Sequence, residues 1–204
     1  MLLYDSANPA PNPRRVRIFL HEKGIEVPRQ DVSIPRREQK ADAYLAVNPL
    51  GQTPALVLDD DSVLTESTAI CRYFEALHPS PPLFGSGALG IARNEMWMRR
   101  VELRLMAPLS MVWIHTHKLT ARLPGTRYPE FGESQRGRVL AAMNEIDRGL
   151  DDREWLAGDQ FGMADIVLLT TIDFGRFIGV EMPDEVETLL AWHERASARP
   201  SAQA

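Results

Sequence analysis

The chain has 204 residues, 44% of them apolar and 25% charged, enough for one large domain or two small ones with a substantial core. Its net charge of −5 argues against nucleic acid as the main partner, because neutralising phosphates takes a dense basic surface, and the clusters Arg14, Arg15, Arg17 and Arg36, Arg37 are short. No stretch is long and apolar enough for a membrane span, and no charged n-region leads into an apolar h-region. The single cysteine, Cys71, excludes an internal disulfide, so a reducing, cytoplasmic setting is expected.

Met1–Tyr4 is a short apolar run that predicts a strand. A polar, Pro-rich turn follows. Val16, Phe19 and Leu20 then recur at helical spacing, with Asn12 suited to the N-cap, Pro13 to the first helical position and Gly24 to the stop. Ile25–Ile34 alternates as an edge strand, and Arg36–Val47 reads as a polar helix ended by Asn48-Pro49. Ala55–Leu58 and Ser62–Leu64 flank an Asp run and predict a hairpin. A helix from Ser67 to Leu77 places Ile70, Phe74 and Leu77 on one face, and Pro79 ends it.

The Pro- and Gly-rich string "HPSPPLFGSG" marks a linker. Beyond it the pattern is helical over Ile91–His117, Ser134–Leu150, Met163–Ile178 and Asp184–Ser197. Pro108 should kink the first of these, since it removes a hydrogen bond and clashes with the preceding turn. The expected architecture is α/β plus all-α, with an N-terminal domain at 1–78, a linker at 79–87 and a helical domain at 88–204.

"NPLGQTPALVLDDDSVLTESTAICRYFEALHP" (Asn48–Pro79), "WLAGDQFGMADI" (Trp155–Ile166) and the closing "ARPSA" occur in order along nearly the whole chain. In this the sequence resembles the glutathione S-transferase family. The resemblance implies a thioredoxin-like N-terminal domain, a C-terminal helical bundle, glutathione as co-substrate, a small-molecule electrophile as second substrate, and a homodimer, with no role for nucleic acid or membrane. It also implies a cis Thr53-Pro54 bond, which would turn the Thr53 backbone toward the cysteinyl unit of glutathione, strand to strand. Glu66 and Ser67 match the seat of the γ-glutamyl end. A helix N-terminus with a hydroxyl suits its carboxylate, and the acid suits its ammonium. Either residue also serves as an ordinary helix start. Gln52 and Gln39 match positions that contact the ligand backbone or glycine end, and Lys40 is the cation near the glycine carboxylate. A solvated helix face explains Gln39 and Lys40 equally well.

Members with a "SxxxxRVRI" arrangement activate the thiol through the serine, but the matching position here is Ala10. Asn12, in "APNP", resembles the Thr-Pro-Asn turn of bacterial Nu-like members, so Asn12 is the candidate catalytic contact to the thiolate; the alternative is a plain N-cap. A free thiol has a pKa of ~8.5, and helix N-termini lower it through oriented N–H groups. Arg14 and Arg15 would add positive potential. Tyr4 and Ser6 are fallback donors.

Asp165 in "FGMADI" reads as structural: a capping residue three after Gly162, with Phe161 and Ile166 at the spacing of a hydrophobic staple. Cys71 reads as a small buried hydrophobe. His115 and His117 point to different helix faces, a poor metal pair. Met106, Met111, Trp113 and His115 are expected in the electrophile pocket, because the first bundle helix lines that pocket in family members. The reading is a glutathione transferase. The alternatives are a glutathione-dependent disulfide or peroxide reductase, or a non-catalytic glutathione-binding scaffold.

Overall fold

The computed structural model describes residues 1–122 and 125–204. The chain divides into two compact units, Met1–Leu83 with Arg199–Ala204, and Phe84–Ala198. The closing segment thus groups with the first unit, although the sequence pattern assigns it to the helical part.

In the first unit β1 (Leu2–Asp5) runs into α1 (Pro11–Lys23) and then β2 (Arg29–Asp31). A 3₁₀ turn at Glu38–Lys40 and α2 (Asp42–Leu45) precede the hairpin of β3 (Ala55–Val57) and β4 (Val63–Thr65), and α3 (Ser67–Leu77) follows. The sheet order is β2-β1-β3-β4, with β1 parallel to β2 and the other pairs antiparallel. The helical crossover accounts for the parallel pair, and the tight Asp60–Ser62 turn for the hairpin. Leu3, Val16, Phe19, Leu56, Ile70 and Phe74 form the core. Together with the helical second unit, this is a thioredoxin-like domain followed by a helical domain.

Three expectations change. The helix α1 starts earlier than the sequence suggests: Ala10 is the N-cap and Pro11 the first helical residue, so Asn12 lies inside the first turn and caps nothing. Proline at that position is preorganised for the helix and needs no donor. The strand at 25–34 contracts to Arg29–Asp31, because Pro28 has no N–H for the ladder and only β1 is beside it. The helix at 36–47 breaks into two short pieces. Arg37 has φ 59° and Ala41 is extended, while Glu38 Oε2 accepts the Ser33 N–H at 2.7 Å, a local bond that competes with a helix.

The tail clasps α1. Arg199 forks onto Glu22 through two bonds of 2.8 Å, Ser201 Oγ donates to the same carboxylate at 2.5 Å, and Arg14 Nη2 donates to the Ala202 carbonyl at 2.9 Å. Burial raises the Glu22 pKa, but the bonds from Arg199 and Ser201 outweigh it and hold the carboxyl below its ordinary value.

The second unit contains α4 (Gly87–Arg100), a π-helical segment (Val101–Met106), α5 (Ala107–Thr116), α6 (Pro129–Leu150), α7 (Met163–Phe177) and α8 (Glu187–Ser197). The expected Pro108 kink takes the form of the π segment. The Arg104 carbonyl would otherwise receive the N–H that Pro108 lacks, and the widened turn absorbs the mismatch. The core is built around α7, where Ile166, Val167, Leu168 and Leu169 are fully buried. Asp165, also fully buried, accepts N–H bonds from Gly162 (3.0 Å), Leu156 (2.9 Å) and Trp192 Nε1 (2.9 Å). Gly162 has no hydroxyl, so its carbonyl receives the Asp165 N–H at 3.0 Å.

Candidate active site

Strand register gathers the predicted residues. Tyr4 pairs with Ala55, and Ala55 with Thr65. One to two residues beyond these pairs, the ends of β1, β3 and β4 place Ser6, Thr53-Pro54 and Glu66-Ser67 along one edge of the sheet. The Thr53-Pro54 bond is cis.

Side chains lock this edge. Ser6 Oγ, 1% exposed, donates to the Val32 carbonyl at 2.8 Å and lies 2.8 Å from Thr53 Oγ1. A carbonyl only accepts, so the Ser6 proton goes to Val32 and Thr53 is the donor between the two hydroxyls. Ser6 therefore has no proton for a ligand, which removes it as a fallback donor. Tyr4 packs edge-on against Tyr44, with ring centroids 5.6 Å apart. Tyr44 in turn donates to the Gln52 carbonyl at 2.5 Å, and Asn48 Nδ2 donates to the same oxygen at 2.8 Å. Burial pushes the Tyr44 hydroxyl up to about 12, so it stays a donor and the Gln52 backbone stays fixed.

Gln39 and Lys40 reach the same loop. Lys40 Nζ donates to the Leu50 carbonyl at 2.9 Å. Gly51 allows this approach: its φ is +58°, and a Cβ there would lie 2.6 Å from both the Gln39 carbonyl and Lys40 Nζ. Gln39 Oε1 is buried and takes no hydrogen bond among the described residues.

Two helix starts flank the edge. At α3, Glu66 is exposed at φ 66°, ψ 115°, a sparsely populated conformation for a residue with a side chain. The Ser67 N–H and hydroxyl have no partner among the described residues. At α1, Pro11 and Pro13 carry no N–H, so the first turn offers one amide, that of Asn12. That amide and the exposed Asn12 side chain are both unpaired among the described residues. The expectation of several free amides there is corrected to one.

Arg14, tied to the tail, and Arg15, 4% exposed, do not project as free cations. Arg17, to which the sequence attached no role, organises the loop instead. Its guanidinium donates to Asp5 Oδ1 at 2.7 Å, the Ser6 carbonyl at 2.9 Å and Asn8 Oδ1 at 2.5 Å. Cys71 is fully buried, and desolvation drives its pKa far upward, so it is an inert thiol.

In the second unit the four expected pocket residues separate. Trp113 packs against Phe174 and Phe177 of α7 and against His117, with centroids 5.5, 6.0 and 4.5 Å away. His115 faces Tyr128 and Phe131 at the start of α6 and accepts the Tyr128 N–H at 3.2 Å. Met106 and Met111 are half-buried. Among the described residues no group of His, Cys, Asp and Glu could hold a metal ion, and no helix is long and apolar enough to cross a membrane.

Residues 10–77 match the model of the glutathione S-transferase N-terminal domain, and residues 111–200 that of the C-terminal domain. Glutathione S-transferase 2 of Saccharomyces cerevisiae is 38% identical over 98% of this chain and 87% of its own length. The chain belongs to the glutathione S-transferase family. The crystal structure of Gtt2 from Saccharomyces cerevisiae superposes with a TM-score of 0.92 at 34% identity, covering 100% of this chain and 99% of that one. A glutathione S-transferase domain-containing protein of Marinobacter aquaeolei VT8 gives 0.92 at 33%, covering 98% and 99%.

The family's sequence strings locate the sheet edge in this member, but not the groups that hold it. Arg17 lies on a helix buried on nearly every side, between Val16 and Ile18. A charge in that setting must find a partner, and this was the available signal for its role.

Proposed function

We propose that the protein is a glutathione transferase: it binds glutathione on residues 1–78, stabilises the thiolate, and directs it at a small apolar electrophile. Sulfur forms a bond to the electrophilic carbon while the leaving group departs with its electron pair. The observation that carries this reading is the sheet edge, where Glu66, the unpaired Ser67 N–H and hydroxyl, and the fixed Thr53-Pro54 backbone stand in register. A zwitterionic γ-glutamyl end needs an acid beside free donors, and Glu66-Ser67 supplies both. The buried Gln39 Oε1 gains an N–H donor from the ligand backbone. Gln52 and Lys40 flank the glycine end, and Asn12 meets the sulfur with its amide and side chain. A cytoplasmic homodimer with a role in detoxification completes the proposal.

The test is calorimetric titration with reduced glutathione at millimolar levels, joined to measurement of the bound thiol's pKa by thiolate absorbance. Asn12→Ala is expected to raise that pKa by about one unit, ~1.4 kcal/mol, the size of one charge-assisted hydrogen bond. An unchanged pKa would remove the side chain from the mechanism. Electrophile binding through Met106, Met111, Trp113 and His115 divides along the two faces. Trp113→Ala is expected to raise KM for an apolar chloronitroaromatic substrate several-fold more than His115→Ala does; equal effects would refute that division.

A second reading, glutathione-dependent disulfide or peroxide reduction, is favoured by Ala10 and Cys71. The site has no hydroxyl activator at Ala10, and the one protein thiol is sealed in the core. Two glutathiones would then supply both electrons. Turnover of a mixed disulfide exceeding that of the chloronitroaromatic would select it.

A further inference from the structure

Ser6 and Thr53 extend the sheet by one more rung. Continuing the register of Tyr4 with Ala55 and of Asp5 with Asp31 sets Ser6 opposite Thr53 on one side and Val32 on the other. Every polar group of Ser6 is engaged. Its N–H donates to Asp5 Oδ1 at 2.8 Å, its carbonyl accepts from Arg17 at 2.9 Å, and its hydroxyl donates to the Val32 carbonyl at 2.8 Å. Val32 is held in turn, because its N–H donates to the Asp5 carbonyl at 2.8 Å. The Ser6 hydroxyl oxygen thus stands at a fixed point, and the Thr53 hydroxyl donates to it.

The backbone of Thr53 contrasts with this. Its N–H and C=O take no hydrogen bond among the described residues. The peptide before it is pinned, because Tyr44 and Asn48, 5% and 2% exposed, both donate to the Gln52 carbonyl. Peptide planarity then points the Thr53 N–H away from those two side chains. On the other side Ala55 is fully buried and paired with both neighbouring strands. Between these fixed ends, the two rotations at the Thr53 Cα decide how its C=O lies relative to its N–H. A side chain tethered at its hydroxyl restricts both.

We propose that Ser6 and the Thr53 side chain are positioning residues for glutathione: their hydroxyl pair presets the Thr53 backbone in the orientation that meets the cysteinyl unit. This rests on the reading of the sheet edge as the glutathione seat. Neither hydroxyl gives its proton to the ligand, since that of Ser6 goes to Val32 and that of Thr53 to Ser6. The pair acts through the backbone instead. A seat held in shape before the ligand arrives does not have to be ordered on binding. As sheet stabilisation a cross-strand hydroxyl pair is a small contribution. Here it lies past the last ladder pairs, on the residue whose N–H and C=O stand unpaired.

The test is calorimetry on the full chain with S-methylglutathione and with its analogue in which an ester oxygen replaces the cysteinyl N–H. The methyl group keeps thiol ionisation out of the comparison. That N–H is the donor for the Thr53 carbonyl, so the unsubstituted protein is expected to bind the amide about tenfold more tightly than the ester, the size of one hydrogen bond. Thr53→Val keeps the shape of the side chain and leaves Ser6 bonded to Val32. It should cut the amide-to-ester ratio to about threefold or less, because the carbonyl is no longer aimed, while affinity for the ester changes little. Ser6→Ala should lower the ratio equally, and the double variant no further, since the two hydroxyls act as one unit. Thr53→Ser, which restores the hydroxyl, should restore the ratio. A general loosening of the fold would weaken both ligands alike, so a ratio that Thr53→Val and Ser6→Ala leave unmoved would overturn the proposal. An unsubstituted protein that binds both ligands equally well would do the same and leave the seat standing. One that takes up neither would sink the reading of the seat, and this proposal with it.

Discussion

Arg17→Met is expected to destabilise the protein by about 3–5 kcal/mol, because it breaks a buried ion pair from one side. Arg17 and Asp5 are 8% and 4% exposed. Without the guanidinium, Asp5 keeps only the Ser6 N–H at 2.8 Å and Arg29 at 3.7 Å, while the Ser6 carbonyl and Asn8 side chain lose their donor. Lysine is a poor substitute, since a single ammonium cannot reproduce the fork that spans three acceptors. Removing both charges should be milder than removing one: Arg17→Met with Asp5→Leu should recover part of the loss, as a coupled pair does. Urea denaturation of the two single variants and the double variant closes the cycle. A loss under about 1 kcal/mol for Arg17→Met would mean that the pair contributes no more than a surface bridge. The same contacts bear on function. Arg17 holds the strand end from which the chain enters the turn before α1, so in the folded fraction of Arg17→Lys glutathione affinity should fall while the Asp165 region keeps its stability.

The sequence reveals local features of this fold and conceals the non-local ones. The end of α1 at Gly24, the hairpin around the Asp run and both limits of α3 follow from turn chemistry and helical spacing within a few residues. The start of α1 does not, because Asn12 is a good cap in isolation, yet two prolines let the helix begin at Pro11 without one. The segment at 36–47 has helical composition, but Arg37 and Ala41 adopt non-helical backbone and Tyr44 is drawn to the Gln52 carbonyl, a partner no local pattern announces. In the site, family strings find Thr53, Pro54, Glu66 and Ser67, but the pairing of Ala55 with Thr65 is what makes them one surface. The pocket residues show the opposite failure. The resemblance assigns all four to one helix without fixing their faces. Trp113 and His115 are two residues apart, about 200° around that helix, so Trp113 meets Phe174 and Phe177 while His115 meets Tyr128 and Phe131.

Asp165→Ala should approach the Arg17 variant in cost, for a different reason. It removes the acceptor from three N–H donors, on Leu156, Gly162 and Trp192. A buried donor left unpaired costs about 1–3 kcal/mol, so a loss of about 3–5 kcal/mol is expected, with glutathione affinity of the folded protein unchanged. The pH dependence separates this role from simple packing. Burial pushes the Asp165 carboxyl up to about 6, against the pull of its hydrogen bonds from Leu156, Trp192 and Gly162, whereas an unfolded aspartate titrates near ~3.9. Between those values the folded chain holds a proton that the unfolded chain has released. The contribution of this group is therefore greatest below pH 4, falls as pH rises to 6, and is flat above. Over that window the folded protein should lose about 3 kcal/mol relative to an Asp165→Asn variant, which does not titrate there. Urea melts of the two proteins from pH 4 to pH 7 read the difference directly. Parallel profiles would show that the carboxyl keeps an ordinary pKa, and that the three donors offset the whole penalty of burying its charge.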